Sequence, residues 1–498
     1  MSYLGENINT EDFSDINDIK ITELNFSNPA TASYIIDRKS ATFHSTGGNI
    51  YSTTSGGTLI RFNIDSPTDW LDPSSVRVQF DIRNTAVYAA GTNNEQLFLT
   101  GGPHSFFKRL RVLSRGIVLH DITEYNRVHE MFSYFKAQNV KTNELSESIY
   151  AFDHFGSEFQ TDVIDGVTTG NISSGIRPGE TMTVMFKPFC GILNQEKYLP
   201  LKYCPLVLEL EIVTNASDPV VSDGSKNYTG AAAYTAALTS QSWQLEQFKV
   251  RCDLLKLDNT LQNEFDNQLL GSSSNRLSIR ISNYMSQTFP VNGSNDLSFN
   301  MTRALSNLNR VFVSFIKAGG VDRFYSKEYN TFYSTLYANN ILTHTSPGTF
   351  TATTISDLVN ALFKKAIYSK SLDPVYNTQL QIGGKLFPEY PIQSSQESFY
   401  LLKKSINDDK IFNKHIHAVD IKAKSYLSDK FIVVFDTCKV NSGTAAYAGI
   451  DVRNGSNINL RFKFPPTLDN ALLPTYCHTV LESEATFRVM GTFVYLDE

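Results

Sequence analysis

The sequence predicts an all-β protein built from two similar domains in tandem. The chain has 498 residues, which is more than one hydrophobic core usually supports, so at least two domains are expected. Apolar and polar residues alternate along many segments, as strands with one buried face require. The segment FKVRCDLLKLDN at 248–259 is also similar to FRVMGTFVYLDE at 487–498. Because these segments lie about half a chain apart, they indicate an internal duplication.

Alternation of apolar and polar residues is the main evidence for strands. The clearest runs are 76–82, 182–186, 206–212, 277–281, 297–301 and 458–464. Many antiparallel strands separated by wide loops are typical of sandwiches and barrels. Three of these runs fall in each half of the chain, as a duplication requires.

Turn residues and one register break agree with this interpretation. Ser114–Arg115–Gly116 separates two apolar runs and predicts a tight hairpin, and Asn454–Gly455 predicts a second one. Between Trp243 and Leu254 the apolar alternation changes phase. A β-bulge at Glu246–Gln247 would restore the register.

Three helices are predicted in the loops. Asp121 and Glu124 have the spacing of a capping pair before a helix that buries apolar residues as far as Phe135. Thr354 is placed to cap a second helix, and Ser394 with Glu397 opens a third. The all-β prediction therefore includes a few short helices.

The domain boundaries follow from the first of the two similar segments, 248–259, which we take as the end of the first domain. Residues 261–269 have helical spacing of apolar side chains, and the run Gly271–Ser274 after them has the composition of a linker. The first 30 residues carry six acidic side chains and one lysine. We therefore expect an acidic N-terminal arm at 1–30, a first β-domain at 31–259, a linker helix and Ser-rich linker at 260–275, and a second β-domain at 276–498.

Charge and cysteine content exclude several classes of protein. The formal net charge is −6 and no long Lys/Arg run occurs, which argues against sequence-specific or wide basic contacts with nucleic acid. The five cysteines are odd in number and have no CxxC spacing, so neither a disulfide framework nor a zinc knuckle is expected. The acidic start is unlike a signal peptide, and no apolar run is long enough to cross a membrane. We expect folding inside the cell.

The most prominent metal-binding pattern is His415–Ile416–His417. Two imidazoles at this spacing point to one side of a strand, and in a duplicated β-barrel they would suggest a bicupin enzyme. The cupin pattern also needs a glycine six residues before the first histidine and a glutamate shortly after the second. Here Asp409 holds the first position and the next glutamate is Glu482, so a polar loop or interface pair is the better interpretation.

Other chemical motifs are incomplete. His129–Glu130 resembles the start of HExxH, but Ser133 replaces the second histidine, so a surface-facing helix pair is expected. Gly319–Gly320 and Gly383–Gly384 lack a phosphate-loop context and predict turns. No nucleophile elbow is present, and the cysteines lie in apolar runs as small buried hydrophobes do. We therefore nominate no catalytic, cofactor-binding or metal-binding residue, and expect no cofactor and no enzymatic activity.

Three segments resemble a known family. FFKRLRVLSRGIVLHDITEYNRVHEMF (106–132), GILNQEKYLPLKYCPLVLELEIV (191–213) and QIGGKLFPEYPIQSSQESFYLLKK (381–404) are similar to segments of the major capsid proteins of polinton-like viruses and of Polinton or adintovirus elements. Their order and spacing also match, and the resemblance extends over about residues 75–498.

The resemblance implies a double jelly roll, with two eight-stranded sandwiches side by side in one chain. It further implies a homotrimer that forms a pseudo-hexameric capsomer and tiles an icosahedral shell of a DNA virus. Expected partners are neighbouring capsomers, penton proteins and minor capsid proteins, without direct sequence-specific binding of nucleic acid. The presence of an internal membrane is left open. On this interpretation the two similar segments are the last strands of the two jelly rolls.

Expectations for the surface are coarser. The loops around 86–104, 214–242 and 318–352 are expected to project outward or to lock neighbouring subunits. The acidic arm is expected to run beneath the capsomer towards adjacent trimers. The alternative function is a glycan- or receptor-binding jelly-roll protein, such as a spike or minor capsid component, which would share much of this composition.

Overall fold

The computed structural model describes strands in both halves of the chain and some of the connections between them. The described residues are 35–54, 57–87, 97, 99, 102–136, 163–164, 167–168, 176–220, 240–270, 276–316, 377–406, 421, 426, 430–439, 449–453, 457–464, 473–491 and 493–497. Several predicted features lie outside them: the acidic arm, the helix after Thr354, the His415–His417 pair, the turns at Gly319–Gly320 and Asn454–Gly455, and the Gly271–Ser274 linker. None of the helices in the described ranges reaches the length and apolar character that a bilayer crossing demands.

The first half of the chain forms two facing sheets and a small hairpin. Its strands are β1 (Ile35–His44), β2 (Ile50–Tyr51), β3 (Leu59–Ile64), β4 (Trp70–Asn84), β5 (Phe107–Ser114), β6 (Ile117–Thr123), β7 (Val163–Ile164), β8 (Val167–Thr168), β9 (Thr181–Phe186), β10 (Leu199–Pro200), β11 (Leu206–Ile212) and β12 (Trp243–Leu257). One sheet has the order β1-β12-β4-β10, with β2 paired to β12 and β9 to β4, and the other has the order β3-β11-β5-β6. Strands β7 and β8 pair only with each other among the described strands.

The second half repeats this arrangement. Its strands are β13 (Leu277–Pro290), β14 (Asp296–Met301), β15 (Leu308–Ile316), β16 (Asn377–Ile382), β17 (Lys385–Ile392), β18 (Ile432–Asp436), β19 (Ile458–Lys463), β20 (Tyr476–Met490) and β21 (Phe493–Asp497). One sheet has the order β13-β20-β15-β18, with β21 paired to β20, and the other has the order β14-β19-β16-β17.

The two halves have the same topology. If the eight strands on the two main paths are numbered along the chain, each half has one sheet in the order 1-8-3-6 and one in the order 2-7-4-5. Two four-stranded antiparallel sheets connected in this way make a jelly roll. The chain is therefore an all-β double jelly roll, as the resemblance implied.

Aromatic side chains fill the space between the facing sheets. In the first sandwich the ring of Phe80 stacks on Phe248 with centroids 4.9 Å apart and meets the edge of Phe107 at 5.5 Å. In the second sandwich Phe315 meets Phe462 at 4.8 Å. Phe80, Phe248 and Phe462 each alternate with less buried neighbours on their strands, which confirms the predicted period of two on β4, β12 and β19.

The predicted turn and bulge are both present. Arg115 and Gly116 have φ angles of 47° and 84°, the left-handed values that a two-residue hairpin between β5 and β6 needs. The register between β12 and β4 shifts between Glu246 and Lys249, and Gln247 has a φ angle of 57°. The sequence-based bulge at Glu246–Gln247 is therefore confirmed.

Within the described ranges the α-helices are α1 (Tyr125–Ser133), α2 (Asn259–Leu270) and α3 (Ser395–Ser405). The Ser394 side chain accepts a hydrogen bond from the Glu397 backbone N–H, so the predicted cap of α3 is confirmed. The predicted capping pair of α1 is wrong. Asp121 instead accepts hydrogen bonds of 2.7 and 2.6 Å from the Arg109 guanidinium, and Glu124 adopts a left-handed conformation without a side-chain cap.

The two similar segments, 248–259 and 487–498, have only partly corresponding structures. Phe248 lies on β12 and Phe487 on β20, which are the eighth strands of their sandwiches. Strand β20 ends at Met490, however, and Gly491 has a φ angle of 53° that reverses the chain into β21. The prediction that 487–498 forms a single last strand was wrong, because a glycine turn adds a hairpin strand to the second sandwich.

Helix α2 packs against the first sandwich. The Trp70 indole N–H donates to the Gln262 side-chain oxygen at 2.8 Å, and the Trp70 and Phe265 rings are 5.0 Å apart. Asp266 accepts from the Tyr203 hydroxyl at 2.6 Å and pairs with Lys202 at 2.8 Å. These contacts hold the segment between the sandwiches in a defined place.

Candidate functional site: the seam between the sandwiches

The two sandwiches meet along a continuous contact that we call the seam. Its first side consists of the end of β6, helix α1 and residues 189–193. Its second side is the outer face of the sheet β13-β20-β15-β18, where Tyr284 and Phe312 lie. Because this contact joins the two sandwiches, we take it as the candidate functional site.

Aromatic rings form the apolar part of the seam. The Phe132 ring on α1 lies 4.5 Å from Phe189, 4.9 Å from Tyr284 and 5.2 Å from Phe312. Phe135 is 5.5 Å from Phe312, and Phe189 is 4.6 Å from Tyr284. Each such aromatic pair stabilises the fold by about 0.5–1.5 kcal/mol in addition to the effect of burying its apolar surface. The cluster therefore opposes relative motion of the sandwiches.

Arg127 is the central polar residue of the seam. Its side chain projects from α1 and is completely buried, with 0% exposure. The guanidinium Nη2 donates to the Ser314 hydroxyl at 3.1 Å and to the Phe315 carbonyl at 2.9 Å. Because a buried guanidinium is costly unless its donors are satisfied, these bonds fix α1 over β15.

His120 connects three segments through its two ring nitrogens. Its Nε2 accepts from the Ile192 backbone N–H at 3.1 Å, which assigns the proton to Nδ1. Nδ1 then donates to the Asn283 side-chain oxygen at 3.2 Å. Complete burial lowers the pKa of His120 from 6.5 to about 4, so the ring is neutral at pH 7 and both bonds are maintained.

Hydroxyl groups form a second polar contact nearby. The Thr123 and Ser286 hydroxyls are 2.8 Å apart, and the Ser286 hydroxyl also donates to the Thr123 carbonyl. Thr123 ends β6 and Ser286 lies on β13. The end of β6 and strand β13 are therefore held to each other by side chains rather than by a backbone ladder.

Gly191 allows the backbones to approach closely. It begins the 3-10 helix Gly191–Leu193, and a Cβ atom at this position would lie 1.7 Å from the Ser282 carbonyl oxygen. Since that neighbour is backbone, no side-chain rotation can relieve the clash. Only glycine fits this approach of the first sandwich to β13.

The neutral state of His120 predicts a pH dependence of stability. Below pH 6.5 the unfolded chain binds a proton at this imidazole that the folded chain excludes until about pH 4, so stability is lost as the pH falls through this range. The His120→Gln side chain keeps an acceptor and a donor. Between pH 7 and pH 5, we expect the free energy of unfolding of this variant to fall by about 2 kcal/mol less than that of the wild type. Urea unfolding at each pH measures this difference.

His44 provides the matched control for this prediction. It is an exposed histidine on β1, so His44→Gln should leave the acid sensitivity of the wild type unchanged. Burial also lowers the pKa values of His129 and His478, so His120→Gln should retain part of the acid sensitivity. Equal pH slopes for His120→Gln and His44→Gln would show that His120 is not the neutral buried group described.

The His129–Glu130 pair does not face the surface as predicted. Glu130 is 1% exposed, and its carboxylate lies 2.8 Å from His104 Nε2. The His104 ring stacks on His129 with centroids 3.9 Å apart. The prediction was wrong because the 3-10 helix Pro103–Phe106 covers this side of α1.

The cysteines and the Gly383–Gly384 motif lie in ordinary structural surroundings. All five cysteines are free thiols, and four of them are buried; burial raises the pKa of Cys190, for example, to about 12. The predicted turn at Gly383–Gly384 lies between β16 and β17. Within the described ranges, no group of three His, Cys, Asp or Glu side chains is arranged to hold a metal ion.

A groove of about 650 Å³ opens where the seam reaches the surface. Residues 194–197 line one wall, and Arg280, Ser282 and Glu484 line the other. Arg280 and Glu484 approach each other to 4.0 Å. The groove contains opposite charges. It lies at the edge of the part of the β13-β20-β15-β18 sheet that the first sandwich covers.

Sequence reasoning nominated none of the seam residues. One signal was available for Arg127, because a basic residue lies within a nine-residue helix that also carries Tyr125, Val128 and Met131. Because this short helix is covered on more than one side, polar side chains such as Arg127 are buried together with the apolar ones. Neither His120 nor Gly191 has a local pattern that distinguishes it from an ordinary strand or loop residue.

No protein-family model matches the chain, and no curated protein sequence matches it. Solved structures do match. A chain of the PBCV-1 virus capsid superposes with a TM-score of 0.56 at 12% identity, covering 95% of this chain and 99% of that chain. A chain of the Sputnik virophage structure has a TM-score of 0.55 at 11% identity, covering 96% and 92%.

The Faustovirus major capsid protein is also similar, with a TM-score of 0.52 at 9% identity over 96% of this chain and 94% of that chain. The alignments in all three cases extend over both sandwiches. At these identities the likeness concerns the fold, and it agrees with the strand orders of the two halves.

Proposed function

We propose that this chain is the major capsid protein of an icosahedral virus. The observation that carries the proposal is the locked pairing of two sandwiches with identical strand order through the seam. A shell tile needs rigid, repeated modules of similar shape, and the seam holds two of them at a fixed angle. The PBCV-1 capsid and the Faustovirus major capsid protein, which share the fold, support the same role.

The finer assignment is a homotrimer that forms a pseudo-hexameric capsomer. Three chains with two similar sandwiches each give six near-equivalent modules around a threefold axis. Neighbouring capsomers, penton proteins and minor capsid proteins are the proposed partners, and the virion, assembled inside the host cell, is the proposed location. The role is structural, without catalysis.

The lineage and the domain limits are also part of the proposal. The similarity of 106–132, 191–213 and 381–404 to polinton-like major capsid proteins supports that lineage. We assign 1–30 to an arm beneath the capsomer, 31–259 to the first jelly roll, 260–275 to the linker and 276–498 to the second. The contacts of α2 with Trp70 and Tyr203 support placing the boundary at this helix.

The solution mass tests the trimer. Native mass spectrometry of the purified chain is expected to give three times the 55.8 kDa chain mass at neutral pH. A glycan- or receptor-binding jelly-roll protein would not need this stoichiometry. A stable monomer that binds immobilised glycans would favour that alternative and would contradict the capsid assignment.

A further inference from the structure

The groove at the end of the seam lies along the free edge of β13. Strand β13 pairs with β20 on one side, and among the described strands no other pairs with it. Towards the middle of β13 this edge is covered, because Gly191 lies against the Ser282 backbone and His120 donates to the Asn283 side chain. Residues 278–281 line the groove instead. The covered part of the edge therefore ends where the groove begins.

An open edge of this kind can accept another strand. Backbone N–H and C=O groups on the free edge of a sheet lack the partners that a central strand has, so an extended peptide can add to them. Along this part of β13, Ser278 and Arg280 are exposed, whereas Ile279 and Ile281 are buried. A strand added beside them would place every second side chain next to the buried pair. The groove therefore fits a peptide with apolar residues at every second position.

The lining of the groove carries both signs of charge. Glu196 and Lys197 are exposed on the wall that the first sandwich contributes. Arg280 and Glu484 lie on the other wall and approach each other to 4.0 Å. A peptide with only acidic side chains would meet two carboxylates as well as the two bases, and like charges at close range repel each other. A peptide that carries both signs of charge matches this lining better.

The sequence before β1 contains one segment of this kind. Residues 18–22 read DIKIT, in which Ile19 and Ile21 alternate with charged or polar side chains, and both are β-branched as strands favour. Lys20 is the only basic residue before Arg38. No other stretch of the first 34 residues combines a base with alternating apolar side chains. This segment therefore matches the groove both in its apolar period and in its charges.

The segment is connected to the sandwich near the groove. Ile35, the first residue of β1, lies at the end of its sheet that also holds Trp70 and strand β10. The groove wall at 194–197 comes just before β10 in the chain. The stretch from Thr22 to Ile35 can span up to about 40 Å when extended, and four strands side by side measure only about 15 Å. The groove of the same chain is therefore within reach.

We propose that residues 18–22 bind in this groove as an additional strand on the free edge of β13 in the same chain. The two isoleucines of the segment pack beside the buried side chains of that edge, and Lys20 meets the carboxylates of Glu196 and Glu484. The inference rests on the proposed assignment of 1–30 to an arm and names the place where the arm is held. The added strand also covers an edge that could otherwise pair with another molecule.

Hydrogen exchange of the full-length chain, followed by mass spectrometry, tests the inference. In the double variant Ile19→Asp with Ile21→Asp, the amides of 278–281 that do not bond to β20 should exchange at least about tenfold faster than in the wild type. The matched control is Ile8→Asp with Ile16→Asp, which makes the same change elsewhere in the arm and should exchange as the wild type does. Thermal unfolding by circular dichroism verifies that both variants are folded.

A synthetic peptide with the sequence of residues 16–24 provides the second measurement. Added to the Ile19→Asp, Ile21→Asp variant, it should restore slow exchange at 278–281. It should bind the wild type at least about tenfold more weakly, because there the arm already occupies the groove. A peptide that carries Ile19→Asp and Ile21→Asp should not slow the exchange.

The other outcomes overturn the inference. Exchange at 278–281 that is unchanged in the Ile19→Asp, Ile21→Asp variant, or equally fast in the control variant, would show that the groove does not hold this segment. Protection that grows with protein concentration would assign the added strand to a second copy and contradict the intrachain arrangement. The proposed function is tested separately by the solution mass, so a wild-type trimer with unprotected amides at 278–281 would refute this inference alone.

Discussion

Replacing Arg127 by methionine is expected to lower the free energy of unfolding by about 3–5 kcal/mol, the largest effect of any substitution considered for this protein, because two hydrogen bonds to a charged group contribute about 1.5–3 kcal/mol each. Methionine preserves much of the side-chain length and apolar volume. The change therefore removes the donors to Ser314 and to the Phe315 carbonyl, which are 3.1 and 2.9 Å away. Both acceptors would lose a charged partner in a site that water does not reach.

Urea-induced unfolding of Arg127→Met measures the loss. The matched control is Arg453→Met, because Arg453 pairs with Asp451 at 3.0 Å and both side chains are about half exposed. Exposed pairs of this kind contribute at most about 1 kcal/mol, so the control should unfold close to the wild type. An Arg127→Met protein as stable as Arg453→Met would show that Arg127 does not secure the seam.

Gly191→Ala is expected to lower the free energy of unfolding by about 3 kcal/mol, at the upper end of the cost of overpacking. The added Cβ would lie 1.7 Å from the Ser282 carbonyl oxygen, so residues 189–193 and β13 must move apart. That movement lengthens the His120 to Ile192 hydrogen bond and separates Phe189 from Tyr284. We therefore expect the two sandwiches to unfold less cooperatively than in the wild type.

The control for this substitution is Gly384→Ala, in the turn between β16 and β17, where no atom lies within 4 Å of the added Cβ. Its unfolding curve should match that of the wild type. Near-ultraviolet circular dichroism provides a second measurement, since Phe132, Phe189 and Tyr284 form the aromatic cluster of the seam. If Gly191→Ala keeps the wild-type spectrum and stability, the close backbone approach is not required.

The alternating runs on β4, β9, β11, β13, β14 and β19 could be predicted from the sequence because a period of two is a local property. The bulge at Glu246–Gln247 was predictable for the same reason, since a phase change in the alternation requires an extra residue. The cap of α3 at Ser394 also depends on residues within one turn. These features need no knowledge of what the segment packs against.

Two of the errors, the capping pair of α1 and the surface position of Glu130, have a common physical cause. Asp121 and Glu124 have the spacing of a capping pair, but Arg109 on the neighbouring strand binds the Asp121 carboxylate. Glu130 has the sequence context of an exposed helix residue, but His104 covers it. In each case a residue distant in sequence determined the environment, and a local pattern does not contain that information.

The seam itself required the structure. Its members come from β6, α1, residues 189–193, β13 and β15, which are separated by more than a hundred residues in several cases, as His120 and Asn283 are. The resemblance implied two sandwiches side by side, but not the residues that join them. Gly191 shows this most clearly, because its role depends on one carbonyl oxygen of the other sandwich.

The central claim is the proposed capsomer, in which three chains, each with two sandwiches joined by the seam, arrange six sandwiches in one ring. Electron microscopy of the purified chain tests it most directly. The account predicts class averages with a hexagonal outline, six lobes and threefold symmetry, with a mass of three chains. Particles with only two lobes, or rings with a number of lobes other than six, would contradict it.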